Sequence, residues 1–216
     1  EIGLMADQPR QLTAPSHAAA HLLQYHDLIE SIVSALDARD TYTASHSNRV
    51  ADMVLALAAA LGLDPDETAL IHIAAHLHDI GKIAVPDAVL RKTGPLTADE
   101  WQEMRRHPVT GYNILRRVAD FQDIAVLVLH HHERWDGRGY PDGLSGDQIP
   151  ISAQVVAMAD VYDALVSKRV YKDAYAPDVA VQMILHGDCG AFNPLLLDCL
   201  TDLQDTFKAE LAAPEA

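Results

Sequence analysis

Sulfur is scarce in this chain of 216 residues: it has two cysteines, Cys189 and Cys199, ten positions apart and with no CxxC pair. That spacing excludes a zinc-finger framework, and the two read as buried thiols of a reducing compartment. Aromatic residues make up only 6% of the chain. Alanine is abundant instead, which favours closely packed helices over a β-sandwich. No uninterrupted apolar run reaches the roughly 18 residues of a membrane span, and the start carries no signal-peptide pattern. The expected location is cytoplasmic. The chain opens on Glu1 rather than Met, so the expectation is a piece of a longer protein or a trimmed chain. Positive charge is also short, 16 Lys and Arg against 31 Asp and Glu, for a net charge of −15. This excludes a bulk binder of nucleic-acid polymers, which would present a basic face. An anionic substrate would have to be held by metal ions or by a few well-placed cations.

What is present is a hydrophobic fraction of 49%, enough to bury a core, and 12 dispersed histidines in an acidic chain. Residues 1–16 read as a linker. Residues 17–40 read as a helix in which Leu22, Ile29 and Leu36 recur every seven residues, with Tyr25 and Ile32 between. Two heptads fit either a helix packed on the domain or a signalling or dimerising helix. A helix from about Tyr42 to Leu61 carries the stripe Val50, Met53, Val54, Leu57 and Leu61, with His46 one turn before it. Asp64-Pro65-Asp66-Glu67 starts the next helix, whose inner face is Leu70, Ile71, Ala74 and His78, and Gly81 fits its C-terminal stop. Thr97 and Glu100 form a second capping box. Residues 121–132 present Ile124, Leu127, Val128 and His131 on one face. After a glycine-rich loop at 136–150, Ser152 can cap a helix to about Leu165, and two more helices fit 177–186 and 194–211. Nothing alternates as a strand should. The fold class is all-α, with about seven to nine helices and no significant sheet.

Five stretches place polar groups on apolar faces or at helix ends: His46, His78-Asp79, His107, His131-His132 and Asp160. A single such histidine is usually a hydrogen-bonded core residue. Burying all of these unpaired would cost several kcal/mol each, whereas a shared metal centre satisfies them together. Imidazole with carboxylate suits iron, manganese, zinc or nickel. Consecutive helical residues point about 100° apart, so His78 and Asp79 cannot both aim at one ion, but they can serve two neighbouring ions bridged by the carboxylate. Lys82, one turn on, is either a solvated lysine or a charge that steadies a phosphate.

The stretches "HLHDIGKI" (76–83) and "HHERWDGRGYPDGL" (131–144) resemble the HD-GYP family of HD phosphohydrolases. "YTASHSNRVA" (42–51), "RRHPVTGYNIL" (105–115) and "VVAMADVYDALVSKRVYK" (155–172) support the resemblance, which covers roughly 40–195. It implies an HD-domain-like helical bundle over 41–211, with 212–216 as a tail. It also implies hydrolysis of cyclic di-GMP to pGpG or GMP by a hydroxide bridging two divalent metal ions, iron or manganese. By position, His46, His78, Asp79 and Asp160 would hold one ion, and Asp79 would bridge to a second held by His107, His131 and His132. Some members hold a third ion through a glutamate where this chain has Tyr42, so two ions are expected here. Lys82, Arg169 and Lys172 would contact phosphate or guanine, and Tyr140 would offer a ring and hydroxyl to guanine or to a partner. The alternatives are another cyclic dinucleotide or nucleotide as substrate, a non-catalytic cyclic di-GMP sensor, or a module that docks a diguanylate cyclase domain through the glycine-rich loop. An upstream sensor or receiver domain and a homodimer are compatible with the first helix. Glu133 and Asp136 either orient histidine rings or cap the loop backbone. The remaining histidines, His17, His21, His26, His72, His76, His130 and His186, read as structural or surface residues.

Overall fold

A computed structural model describes residues 24–39, 45–168 and 173–212. Tyr42, Arg169 and Lys172 lie outside the described residues, as do the linker at 1–16 and Leu22 of the first heptad. The α-helices of seven residues or more are α1 His26–Asp37, α2 His46–Leu61, α3 Pro65–Leu77, α4 Ala98–Met104, α5 His107–Leu115, α6 Gln122–His130, α7 Ile151–Val166, α8 Pro177–Leu185 and α9 Pro194–Ala212. A single α-turn, Asp87–Leu90, and three 3₁₀ segments at Ile80–Ala84, Ala119–Phe121 and Gly146–Gln148 complete the set; no strand occurs among the described residues.

Helix α3 lies at the centre and packs against α1, α2, α6 and α7, while α9 closes over α2 and α8. Leu57, Ile71, Ile73, Ile124, Met158, Ile184, Leu196 and Leu200 fill the core they share. Removing such apolar area from water stabilises the bundle by about 1.5–3 kcal/mol per large side chain. The buried face of α1 is Ile29, Val33 and Leu36, whereas Ile32 is 45% exposed and Leu28 59%. The 3.6-residue helical period thus selects Val33 over the heptad-spaced Ile32. The end of α1 is fastened by Arg39, whose guanidinium donates to the carbonyls of Lys82, Ile83 and Val85.

Two sequence expectations are corrected. Gly81 does not end α3 in a left-handed turn. It sits in the 3₁₀ segment after the helix, where a Cβ would overlap the His107 carbonyl oxygen and the Gly111 nitrogen. Its small size lets α5 lie directly on that segment. Ser152 does not cap α7. The helix begins one residue earlier, after Pro150, and the Ser152 hydroxyl donates to Glu67 Oε1 at 2.6 Å, joining the starts of α7 and α3. Asp64 caps α3 as expected, through Asp66 N and Glu67 N, but Glu67 is thereby used across the bundle. The Thr97–Glu100 capping box is present in full.

Candidate metal centre

Three histidines are placed by one device. The last carbonyls of an α-helix lack intrahelical N–H partners. His78 and His131 are the C-cap residues of α3 and α6, and their Nδ1 atoms donate to Ala75 O at 2.6 Å and Val128 O at 2.7 Å. His107, three residues past the last residue of α4, donates from Nδ1 to Met104 O at 2.8 Å. A carbonyl only accepts, so each Nδ1 carries a proton and each ring turns Nε2 beyond the helix end. The negative ends of three helices therefore converge with the rings, which favours a cation there.

The Nε2 atoms of His107 and His131 face one another at 3.4 Å. The ring nitrogens of His107, His131 and His132 lie within 4.8 Å of one another, and so do the ligand atoms of His46, His78 and Asp79. Asp79 stands between the two triads. Its Oδ2 is 3.4 Å from His78 Nε2 and its Oδ1 is 3.4 Å from His107 Nε2. Asp160, on α7, closes the first triad with Oδ1 3.3 Å from His46 Nε2. The structure thus brings together all seven residues, from five separate stretches of chain. His132 packs its ring 4.1 Å from that of His131 and 4.8 Å from that of Tyr140.

Asp163 was not singled out in the sequence, and it orients the centre. Its Oδ2 accepts from His46 Nδ1 at 2.6 Å, which leaves Nε2 turned toward Asp160. Arg49, one turn after His46, grips the other oxygen, Oδ1, through Nε at 2.6 Å. Carboxylate–histidine pairs of this kind fix the ring and raise its basicity toward a metal. The signal available in sequence was the one-turn spacing of Asp160 and Asp163.

Charge distribution agrees with a cation site. Burial, and then neighbouring rings, push His132 down to about 3 and His131 well below its ordinary range. Burial pushes His107 down to about 4 despite Asp79 beside it. These three rings are neutral donors at neutral pH. Burial opposes charge on His46, but its bonds to Asp160 and Asp163 together outweigh burial and raise it to about 9. Burial likewise opposes ionisation of Asp79, yet Lys82, His78 and His107 prevail and hold it well below the carboxylate range. Asp160 is held low against burial by His46, and then by the charge of His78. The Nε2 of His78, 1% exposed as a residue, has no hydrogen bond among the described residues. A buried orphan nitrogen, opposed ring lone pairs and two ionised carboxylates fit a pair of divalent ions; the absence of thiolate from the set sets it apart from a closed structural zinc site.

The centre opens into a cavity of about 720 Å³ lined by Lys82, Lys92, Trp101, Met104 and Tyr140 together with His46, Asp79, His107, His132 and Asp160. Lys82 Nζ lies 2.6 Å from Asp79 Oδ2. Tyr140 is clamped between the His132 ring and the Arg105 guanidinium, 4.4 Å from the ring centroid, and burial raises its phenol pKa, so the hydroxyl stays protonated. Lys92 and Trp101 escaped the sequence reading because nothing in their spacing marks them. Glu133 resolves in favour of loop closure, accepting from Asp142 N at 2.7 Å and Gly143 N at 3.0 Å. Asp136 likewise caps Arg138 N and pairs with Arg134. His130 stays outside the centre, 4.0 Å from Glu133 and 3.8 Å from Asp142.

An all-helical fold with a His/Asp cluster at converging helix ends defines a metal-dependent class, and the comparisons give it a family. Residues 27–189 match the HD domain family, and the chain belongs to it. It is similar to the cyclic di-GMP phosphodiesterase response regulator RpfG of Xanthomonas campestris pv. campestris (strain 8004), 43% identical over 176 residues, covering 81% of this chain and 47% of that protein. It is also similar to 3'3'-cGAMP-specific phosphodiesterase 2 of Vibrio cholerae, 40% identical over 185 residues, covering 85% of this chain and 35% of that protein. The chain thus spans about half or less of the length of these two relatives. A solved structure described as an HDG"Y"P protein of Bdellovibrio bacteriovorus superposes with a TM-score of 0.63 at 21% identity, covering 87% of this chain and 68% of that one. At that identity the likeness speaks to the fold alone.

Proposed function

We propose that this chain hydrolyses a 3′–5′ phosphodiester bond of cyclic di-GMP to give pGpG, or GMP after a second cleavage, with two divalent transition-metal ions, iron or manganese. The observation that carries the reading is Asp79, one of whose oxygens lies 3.4 Å from His78 and the other 3.4 Å from His107 of the His107, His131 and His132 triad, at the wall of the cavity. His46, His78, Asp79 and Asp160 would hold one ion, and Asp79, His107, His131 and His132 the other. When bound, such a pair supplies an activated nucleophile at neutral pH and neutralises charge on the phosphoryl oxygens.

The remaining work falls to the chain's own side chains. Asp163 and Arg49 hold the His46 ring in place. Lys82, against Asp79 at the cavity wall, sets a positive charge where a phosphate oxygen must lie. Lys92 lines the same cavity, paired with Glu100. The half-exposed Trp101 offers a flat apolar face on which a base can stack. The protonated Tyr140 hydroxyl is a donor beside His132. Arg169 and Lys172 are proposed as further phosphate or guanine contacts on the strength of the motif.

The relatives named above act, by their names, on two different dinucleotides, so base preference needs a direct comparison. Protein prepared anaerobically with iron or manganese is incubated with cyclic di-GMP and with 3'3'-cGAMP at equal concentration. Faster loss of cyclic di-GMP supports the proposal. Faster loss of 3'3'-cGAMP reassigns the substrate, and tight binding of cyclic di-GMP without cleavage reassigns the chain as a sensor.

A further inference from the structure

We propose that His26, His72 and His76 form a second metal site, separate from the HD centre, for one divalent first-row transition ion such as zinc. The expectation that these histidines are ordinary structural or surface residues does not account for their arrangement. His72 and His76 are four apart on α3 and so share a face. Helix α1 begins at His26 and lays that ring on the same face. The three ring centroids lie 5.3, 4.9 and 4.8 Å apart, and the ligand nitrogens all fall within 4.8 Å of one another. The Nε2 atoms of His26 and His72 are 3.3 Å apart. Zinc–nitrogen bonds of about 2.0–2.1 Å in a tetrahedron place neighbouring nitrogens about 3.3 Å apart.

The second observation is a polar group with nothing to bond. His76 is 3% exposed, and neither of its ring nitrogens has a hydrogen-bond partner among the described residues; His72 Nδ1 is likewise buried and unpartnered. Leaving such groups unsatisfied in the interior is costly. An ion at the centre of the cluster supplies the buried His76 ring with the partner that neither of the other two rings gives it. The surroundings supply compensating charge, since Asp27 Oδ1 and Glu30 Oε2 lie 3.9 and 4.0 Å from His26 Nδ1. Either carboxylate can orient the His26 ring through Nδ1. An all-imidazole donor set selects zinc, copper, nickel or iron over magnesium and calcium.

The site shares no residue with the HD centre. Its ligands belong to α1 and α3, and α3 carries His78 at its C-terminal end. An ion here pins the start of α1, while Arg39 pins its end to the segment that follows His78-Asp79. The helix that leads into the domain is thereby tied at both ends to the element that bears the HD residues.

The full chain, stripped by chelator, is dialysed against buffered zinc and its content measured beside His72→Gln and His26→Gln. Each variant is expected to hold one equivalent fewer than the parent. With cobalt(II), the intense visible absorption of a four-coordinate site is expected to disappear in these variants and persist in Asp79→Asn. The difference is read whether or not any dinucleotide is cleaved. If His72→Gln does not fold by circular dichroism, the half-buried His26→Gln decides. Equal zinc content in parent and folded variant, or cobalt absorption unchanged by the substitutions, overturns the proposal.

Discussion

At the scale of single residues, the HD centre is shaped by groups that are not among its ligand candidates. Asp163 is the clearest of them: buried, held by Arg49, and bonded to His46 Nδ1 at 2.6 Å. Asp163→Asn keeps the size of the side chain and removes its charge. The expected result is a 10–100-fold loss of metal affinity, with a lower melting temperature of the metal-free chain because Arg49 and the protonated His46 lose their charge partner. Competition against a fluorescent chelator measures the first quantity and thermal denaturation the second. Unaltered affinity would leave Asp163 a packing residue. The seven ligand candidates were legible in the sequence because each is a polar group on an apolar face or at a helix end. Asp163 was not, since a carboxylate one turn from another reads as ordinary helix polarity until α2 is seen to place His46 and Arg49 against it. The same holds for His26. Its partners His72 and His76 have a readable four-residue spacing, but the third ring comes from 46 residues upstream.

At the scale of elements, the fold presents its ligands from helix ends. The sequence announced where several helices start, through Asp64-Pro65, Thr97 with Glu100, and Asn193-Pro194, whose Asn193 Oδ1 accepts from Leu195 N at 3.0 Å, but not the C-terminal ends that carry His78, His107 and His131. It did not announce how the ends pack. Gly81 looked like a helix terminator, because the reason for a missing side chain lies in α5, 26 residues further along. Gly81→Ala is expected to force α5 away from the 3₁₀ segment and to shift His107 with it. The destabilisation should be about 1–3 kcal/mol, the usual cost of overpacking, with cleavage lost even at saturating metal. Urea denaturation beside a turnover assay checks both. A variant within 0.5 kcal/mol of the parent and fully active would show that the close approach is unimportant.

At the scale of the whole molecule, an acidic chain concentrates buried imidazole around two carboxylates, and its stability without metal must depend on pH. His107 and His132 titrate at about 4 and about 3 when folded, against an ordinary 6.5. The unfolded chain therefore takes up their protons first. The stability they permit is present above pH 6.5 and is lost as pH falls toward 4. His46, raised to about 9, acts in the opposite sense: its contribution is complete below 6.5 and is lost as pH rises through 9. Thermal denaturation in chelator should show highest stability near pH 6.5–7, with a fall of a few kcal/mol by pH 4.5. A flat profile across that range would contradict the buried neutral rings.

The central claim is that Asp79 joins two ions into one hydrolytic centre. It is tested most directly by measuring bound iron or manganese and cyclic di-GMP turnover on the same anaerobic samples of parent and Asp79→Asn. The expected result is cleavage by the parent and joint loss of bound metal and cleavage in the variant. Cleavage by the variant at the parental rate, or a parent that carries both ions in the HD centre and cleaves nothing, would contradict it.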